Sequence, residues 1–583
     1  MDICQQIINY IIFFFTWENL QDIFLYKENA PLIFTRFFFW GFFAFVLLIY
    51  SLVYKNNRRR NFFLFFVSLF FYYKTSGFFF SILLFSTVTD YYIGFAIDKA
   101  KAINRKKLWL ALSVFINLSV LIYFKYAYFF TDSFNELLGT SWHPINYFAQ
   151  ATNEVFGSTF RVDYILLPVG ISFFTFQTMS YAIDIYRGHI APVKSVFDFG
   201  FYVSFFPQLV SGPIVRAADF IPQLYLSYSL TKKEFGIALF WILNGLLKKV
   251  LLADYLAVNF VDRIFDNPGM YSGFENLFAL YGYSLQVYAD FSGYTDMAIG
   301  IALLMGFRLP KNFDSPYKAT SVANFWKRWH ISLSSWLKDY LYIPMGGNRG
   351  GTLFTFISLA FIIFFVFLIS GSFLILLWIL ICFVGILFLC RIFPKLKLWF
   401  TTNVNMLITM LIGGLWHGAS WNFVLWGGLN GLGLIIYKLW NKISPWKNKN
   451  KWYNRVWGIF LAFNFISFTR IWFRSGSANT WESMQEGHNI IAEWFTANTM
   501  LNKLLFELDF TIAFEVISGF APVFFVMLLG FIIHWLPVKT KQWYRNKFAT
   551  AHIGLQLGFC ILTVIAIYQI LSSDLQPFIY FQF

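Results

Sequence analysis

The chain has 583 residues, 58% of them hydrophobic and only 13% charged, about half the charged share of a soluble domain. Its apolar runs reach roughly 18 to 22 residues, the length an α-helix needs to cross a bilayer, which excludes a β-barrel of short alternating segments. The formal charge of +16 invites a nucleic-acid reading, but Lys and Arg gather in short loops between apolar runs, as the positive-inside bias requires. An all-α polytopic membrane protein with no nucleic-acid partner is predicted. The opening MDICQQIINYIIFFF has neither a basic region nor a small-residue cleavage site, so it reads as mature chain. Cys4, Cys382, Cys390 and Cys560 form no CxxC or pairing pattern, so neither disulfides nor a metal site nor a bound cofactor is expected.

In chain order, a first span at 33–53 is followed by Lys55, Arg58, Arg59 and Arg60, which set that loop in the cytoplasm. Residues 61–97, interrupted by Lys74, Gly77 and Asp90, read as a hairpin ending at a second basic loop, 99–107. A span at 108–130 leads to 131–163, whose Asp132, Glu136, Glu154 and Asp163 against Arg161 place it outside, and the chain returns through 164–186. From 197 to 345, Pro207, Gly212, Pro213, Pro222, Gly293, Pro310 and Pro316 break stretches too short to span simply. Such breakers are tolerated at membrane depth only inside protein or beside a wet cavity, so re-entrant or tilted segments around a tunnel are predicted.

Residues 353–370 and 373–391 read as a plain lipid-facing hairpin. The segment 403–440 follows, closed by Lys438, Lys442, Lys447, Lys449, Lys451 and Arg455, and then a span at 456–473. Between 475 and 519 the six acids Glu482, Glu486, Glu493, Glu507, Asp509 and Glu515 face one Lys503, an outside loop. A span at 520–535 returns to Lys539, Lys541, Arg545 and Lys547, inside, and a last one at 553–572 delivers the tail 573–583 to the outer face. No repeat is visible, and the whole of 1–583 reads as one helical membrane domain of about a dozen segments.

Two histidines stand out. His417 sits inside the uncharged NMLITMLIGGLWHGASWNFVLWGGLNGLG (405–433), and an ionisable side chain at membrane depth is a functional-site hypothesis by default. A neutral imidazole at low dielectric suits acceptance of a proton from an attacking hydroxyl, as acyl transfer needs. Gly413, Gly414, Gly418, Ala419 and Ser420 let backbones approach and leave room for a thin substrate, while Trp416, Trp421 and Trp426 supply rigid walls. His330 lies in NFWKRWHISLSSWLKDYLYIP (324–344). It follows Lys327 and Arg328 near an expected interface, where a solvated side chain is the plainer reading. Broken helices with polar groups at mid-membrane are also marks of a transporter, the main rival from another class, although transporter-like repeats are not seen.

These two segments, together with SLQVYADFSGYTDMAIGIALLMGFRLPKNFDSPY (284–317), LLPVGISFFTFQTMSYAIDIYRG (166–188), SFFPQLVSGPIVRAADFIPQL (204–224) and FISFTRIWFRS (465–475), resemble the membrane-bound O-acyltransferase family. The likeness covers most of 165–475 and is greatest to its bacterial branch of alginate and peptidoglycan O-acetyltransferases and teichoic acid D-alanyl transferases. It implies a ring of tilted and re-entrant helices around a central funnel, a catalytic core at 165–475, His417 as the invariant histidine and His330 at the second polar position. Substrate contacts are expected at Trp416, Asn422, Asn324, Trp326, Arg328, Trp329, Ser332 and Asp339. The resemblance further implies a cytosolic acyl thioester, acetyl-coenzyme A above all, as donor, with D-alanyl or longer acyl groups as alternatives. An extracytoplasmic SGNH-type partner would pass the group to a polysaccharide or cell-wall acceptor, from a multi-pass protein of the bacterial cytoplasmic membrane.

Two features depart from plain family expectation. In typical bacterial members GGNRGG is followed closely by the WHG segment, whereas here 351–404 intervenes with an extra hairpin. The tail FIYFQF (578–583) resembles the C-terminal motif of alginate-type subunits, which makes Tyr580 a candidate transient acyl carrier; an interfacial aromatic anchor is its simpler reading.

Overall fold

The computed structural model describes residues 24–27, 31–156, 161, 162, 164–370, 372–445, 451–476 and 490–570. The tail with Tyr580 lies outside the described residues, as do 446–450 and 477–489 of the two predicted loops. Every regular element among the described residues is helical. Among the described residues, seven helices are long and apolar enough to cross a membrane, or up to nine if each of two sharply bent pairs is one span. Some stretches read as spans from sequence fall short of this length or are buried in the core. Phe37–Val53 has 17 residues, and Ile171–Tyr186 has 16 with side chains buried around its whole circumference, which makes it a core helix. The chain is a multi-pass helical membrane protein.

Two compact units interleave along the sequence. The first comprises residues 1–121, 167–238 and 297–309. Its helices Asn57–Ser76 and Phe80–Lys99 are joined by a single turn at Gly77, whose φ of 62° favours glycine. Charged and polar groups at two places inside it are met by protein partners, as a low-dielectric interior favours. The Asp90 carboxylate accepts from Ser113 Oγ at 2.5 Å and Asn117 Nδ2 at 2.6 Å, and Asn117 in turn accepts from Thr178. The Arg60 guanidinium donates to the carbonyls of Leu224 and Leu226.

The second unit comprises 122–166, 239–296 and 310–583. Here the sequence-based break at Gly293 does not occur. Gly273–Leu304 is one continuous helix of 32 residues. Gly293 instead admits a neighbouring chain, since a Cβ there would lie 2.8 Å from the Gly245 carbonyl oxygen. Buried charges beside it are paired: Lys249 bridges Asp254 and Asp290 at 2.7 Å each, and Lys248 meets Asp296 at 2.7 Å. The predicted breaks at Pro310 and Pro316 are real, and 310–345 is built of short turns and the helices Val322–Trp326 and Ile331–Leu337.

Leu353–Ser370 and Phe373–Ile392 form the expected apolar hairpin, with Phe373, Leu374, Trp378 and Phe388 on the surface. The segment 403–440, read as one element from sequence, is two helices, Pro394–His417 and Trp421–Ile443. Gly418 to Ser420 separates them because Ser420 caps the second helix, its Oγ accepting from the Asn422 N–H at 3.1 Å. Trp452–Gly476 packs against the second of them. Further on, Ala513–Gly519 and Ala521–Trp535 meet at 94°, and Val538–Ala549 and the following helix at 111°.

Candidate active site

His417 is the last residue of its helix, not a residue of mid-helix. The following residue must be glycine, because a Cβ on Gly418 would lie 2.1 Å from the Phe423 ring. The two flanking helices touch backbone to backbone: a Cβ on Gly414 would meet the Phe423 carbonyl oxygen at 2.2 Å, and one on Gly427 the Met410 oxygen at 2.3 Å. The small residues singled out in the sequence therefore do allow close approach.

A helix ends with carbonyls that have no partner within the helix. Three of them are met from the segment 122–126. The Tyr126 hydroxyl donates to the Leu415 oxygen at 2.7 Å, and the Lys125 ammonium to the oxygens of Trp416 and His417 at 2.7 and 3.3 Å. A cation at this end also complements the helix dipole. The His417 side chain, 3% exposed, is enclosed by Trp426 and Phe473, ring centroids 5.1 and 5.4 Å away.

His330 is fully buried, so the solvated reading is wrong. Lys327 and Arg328 turn elsewhere, while the His330 ring packs edge-on against Phe291 at 4.7 Å and lies 6.5 Å from the His417 ring. Its backbone is left-handed, with φ of 43°, a conformation that costs energy in a non-glycine residue and clusters at functional sites. Asn312 holds it there. The Asn312 carbonyl oxygen accepts from Ile331 N–H, and its side-chain Oδ1 accepts from Ser332 N–H at 3.1 Å, from Ser332 Oγ at 2.9 Å and from His330 Nδ1 at 3.2 Å.

The Ser332 N–H can only donate, which fixes the orientation of the Asn312 amide. Oδ1 can only accept, so His330 carries its proton on Nδ1 and keeps Nε2 as the ring's acceptor atom. Burial pushes the His330 imidazolium down to about 3, so the ring is neutral at physiological pH.

A cavity of about 10 Å³ borders His417, lined by Trp426, Phe473, Trp329, Asn430 and Arg470 among others. That is room for one water-sized atom. Of the residues expected to touch substrate, Trp329 forms this wall. Trp416 lies 5.8 Å from His330, and Trp326 packs on Trp426 at 5.7 Å. Ser332 serves Asn312. Asn422 is fully buried, and neither of its side-chain polar atoms finds a partner among the described residues.

Asn324 and Arg328 are instead occupied with each other at 3.1 Å, and Arg328 with Asp314. These residues and Asp339, on the turn Lys338–Tyr342, are not in the cavity wall. Sequence reasoning missed Lys125, Asn312, Arg470 and a third buried histidine, His534, whose Nε2 accepts from the Tyr317 N–H at 3.2 Å. Arg470 was legible as a cation within an apolar helix; the others owe their roles to long-range contacts.

The profile of the membrane-bound O-acyltransferase family matches residues 186–403 and 392–476. A probable alginate O-acetylase of Pseudomonas aeruginosa is 37% identical over 414 residues, 69% of this chain and 67% of that protein. A second, from Azotobacter vinelandii, is 38% identical over 358 residues, 60% of this chain and 58% of that one. The peptidoglycan O-acetyltransferase of Helicobacter pylori is 29% identical over 544 residues, 86% and 87% of the two chains. With both histidines buried together inside the matched residues, the chain belongs to the membrane-bound O-acyltransferase family.

Proposed function

We propose that this protein is an O-acyltransferase that moves a small acyl group, acetyl by preference, from a cytosolic thioester toward an extracytoplasmic polysaccharide or cell-wall acceptor. The observation that carries the reading is the placement of two buried histidine rings 6.5 Å apart, one of which, His417, borders a small cavity. His417 is the general base that takes the proton of the attacking hydroxyl, and His330, through Nε2, orients or polarises the thioester. The names of the relatives, acetyl transfer to alginate or peptidoglycan, support acetyl over D-alanyl as the group moved.

Donor and acceptor sit on opposite sides of the membrane in this scheme, with the group handed to an SGNH-type partner enzyme outside. Tyr580 would serve as the intermediate carrier, its hydroxyl acylated at the outer mouth of a central funnel and then attacked by the partner's serine. Covalent relay of this kind divides one difficult transfer into two easier ones.

The test is protein reconstituted in vesicles, supplied with acetyl-coenzyme A on one face and assayed for thioester consumption and for acetyl on Tyr580. Consumption that requires both an acceptor and Tyr580, with Tyr580→Phe assembling normally but failing to turn over, is the expected result. Solute flux without thioester consumption would instead favour the transporter reading.

A further inference from the structure

We propose that Arg470 is a catalytic residue of the transfer, its guanidinium holding the acyl carbonyl oxygen and the oxyanion that oxygen becomes. The assignment rests on the acyl-transfer reading of the His417 cavity.

Arg470 lies on Trp452–Gly476, is 4% exposed and borders the cavity with His417. Three other cations of this unit have anionic partners. Lys249 has Asp254 and Asp290, Lys248 has Asp296, and Arg474, one turn beyond Arg470, has Asp262 at 3.2 Å. Arg470 makes no hydrogen bond or ion pair among the described residues, and its Nε is fully enclosed. The face of Trp329, 4.5 Å from the guanidinium carbon, stabilises the charge but accepts none of the five N–H groups in the plane of the fork.

A guanidinium does not lose its proton in a protein, so burying one without acceptors is costly unless something else supplies them. The space beside it narrows the choice. The cavity admits one water-sized atom, the size of a single oxygen rather than of a carboxylate or phosphate group. Asn430, also in the wall, turns its amide N–H groups to the Trp426 carbonyl and Thr469, which leaves Arg470 as the cationic donor there. In acyl transfer the carbonyl oxygen gains a full negative charge without forming a new bond to carbon, and preorganised donors aimed at it are the usual largest source of rate enhancement.

The step balances as follows. The acceptor hydroxyl oxygen bonds to the thioester carbonyl carbon while its proton passes to His417. The carbonyl π pair moves onto oxygen, facing Arg470. When the C=O re-forms, the C–S bond breaks, and the proton on His417 goes to the departing sulfur, giving ester and thiol.

Arg470→Gln and Arg470→Ala, assayed with acetyl-coenzyme A in the full-length protein, are expected to lower kcat by about 10²- to 10³-fold while donor KM moves by no more than about threefold. Arg470→Lys should keep part of the rate. Guanidinium chloride at tens of millimolar should restore the Arg470→Ala enzyme by about tenfold and leave His417→Ala unchanged, since only the former lacks that group. Thermal unfolding of each variant is measured alongside. Turnover by Arg470→Ala within about threefold of wild type overturns the proposal, and so does a loss that neither lysine nor guanidinium repairs. Absence of thioester turnover in the wild type itself would overturn the acyl-transfer reading first and this proposal with it.

Discussion

Two consecutive helical hairpins, 353–392 and 394–443, are both apolar in sequence and have opposite surroundings. In the first, Phe373, Leu374, Trp378, Val384 and Phe388 are exposed, and a Cβ on Gly385 would meet nothing within 4 Å. In the second, Asn405, Thr409, Asn422 and Asn430 are buried, and Gly414 and Gly427 stand against backbone. The first is the more hydrophobic, but hydropathy does not say which of the two packs closely. Small and amide-bearing residues do, because helices in a lipid-like medium associate through close packing and hydrogen bonds rather than through the hydrophobic effect. The bulky hairpin presents its side chains outward, and the glycine-rich one holds the buried His417.

The largest expected contrast is catalytic. His417→Ala should leave a folded protein whose acyl transfer falls by about two to four orders of magnitude, the scale of a lost general base, whereas Phe388→Ala in the outer hairpin should turn over normally. Steady-state thioester assays on the purified pair decide it. Near-wild-type transfer by His417→Ala would take this residue out of the mechanism.

Packing gives the next contrast. Gly427→Val drives a side chain into the Met410 carbonyl oxygen, 2.3 Å from the Cβ position. The expected cost is about 3 kcal/mol, at the upper end of overpacking, seen as a lower unfolding temperature in detergent. Gly385→Val should shift that temperature little. Equal tolerance at both positions would mean that close helix contact is not what distinguishes the two hairpins.

Acid stability isolates His330. Its folded imidazolium pKa is about 3, against about 6.5 for an unfolded histidine. A depressed value means that the unfolded chain binds the proton first. The stability linked to this group is therefore complete above about pH 6.5 and is lost as pH falls from there toward 3, amounting to about 2 kcal/mol at pH 5. Asparagine tolerates the left-handed backbone at this position, so His330→Asn should fold and lose less stability than wild type between pH 7 and pH 5. His417 is present in both proteins and cancels from the difference. Identical acid profiles would place His330 in contact with water.

What the sequence made legible follows from how local each signal is. Helical class, the lipid-facing hairpin and the candidate histidines are written in composition, run length and the cost of an isolated ionisable group. The broken path through Pro310 and Pro316 is equally local. Gly293 misled because a glycine that breaks a helix and one that admits a neighbour look alike until the neighbour, here Gly245, is in place. Asn324, Arg328 and Asp339 sit near His330 in sequence but not in the cavity wall. Asn312 acts on His330 from 18 residues away and Lys125 on Trp416 from 291, separations no periodicity reports.

The smallest effect expected is at Lys125, and it tests whether the end of the inner hairpin is held from outside it. The helix Pro394–His417 stops at the proposed base, so the orientation of the His417 ring depends on how firmly the last turn is closed. Lys125 and Tyr126 close it by donating to the carbonyls of residues 415 to 417. Lys125→Met keeps most of the side-chain volume and removes the charge and its donors. A cation at a partly buried helix C-terminus contributes about 1 kcal/mol, so the unfolding temperature should drop modestly. Transfer should fall by about tenfold through misplacement of His417, a scale set by about 1.4 kcal/mol of barrier. Because Lys125 touches carbonyl oxygens and not substrate, kcat should fall with donor KM nearly unchanged, and Lys125→Arg should restore much of it by meeting the same oxygens. An unchanged kcat in Lys125→Met would show that the close contact at Gly414 and Gly427 fixes the His417 turn without help.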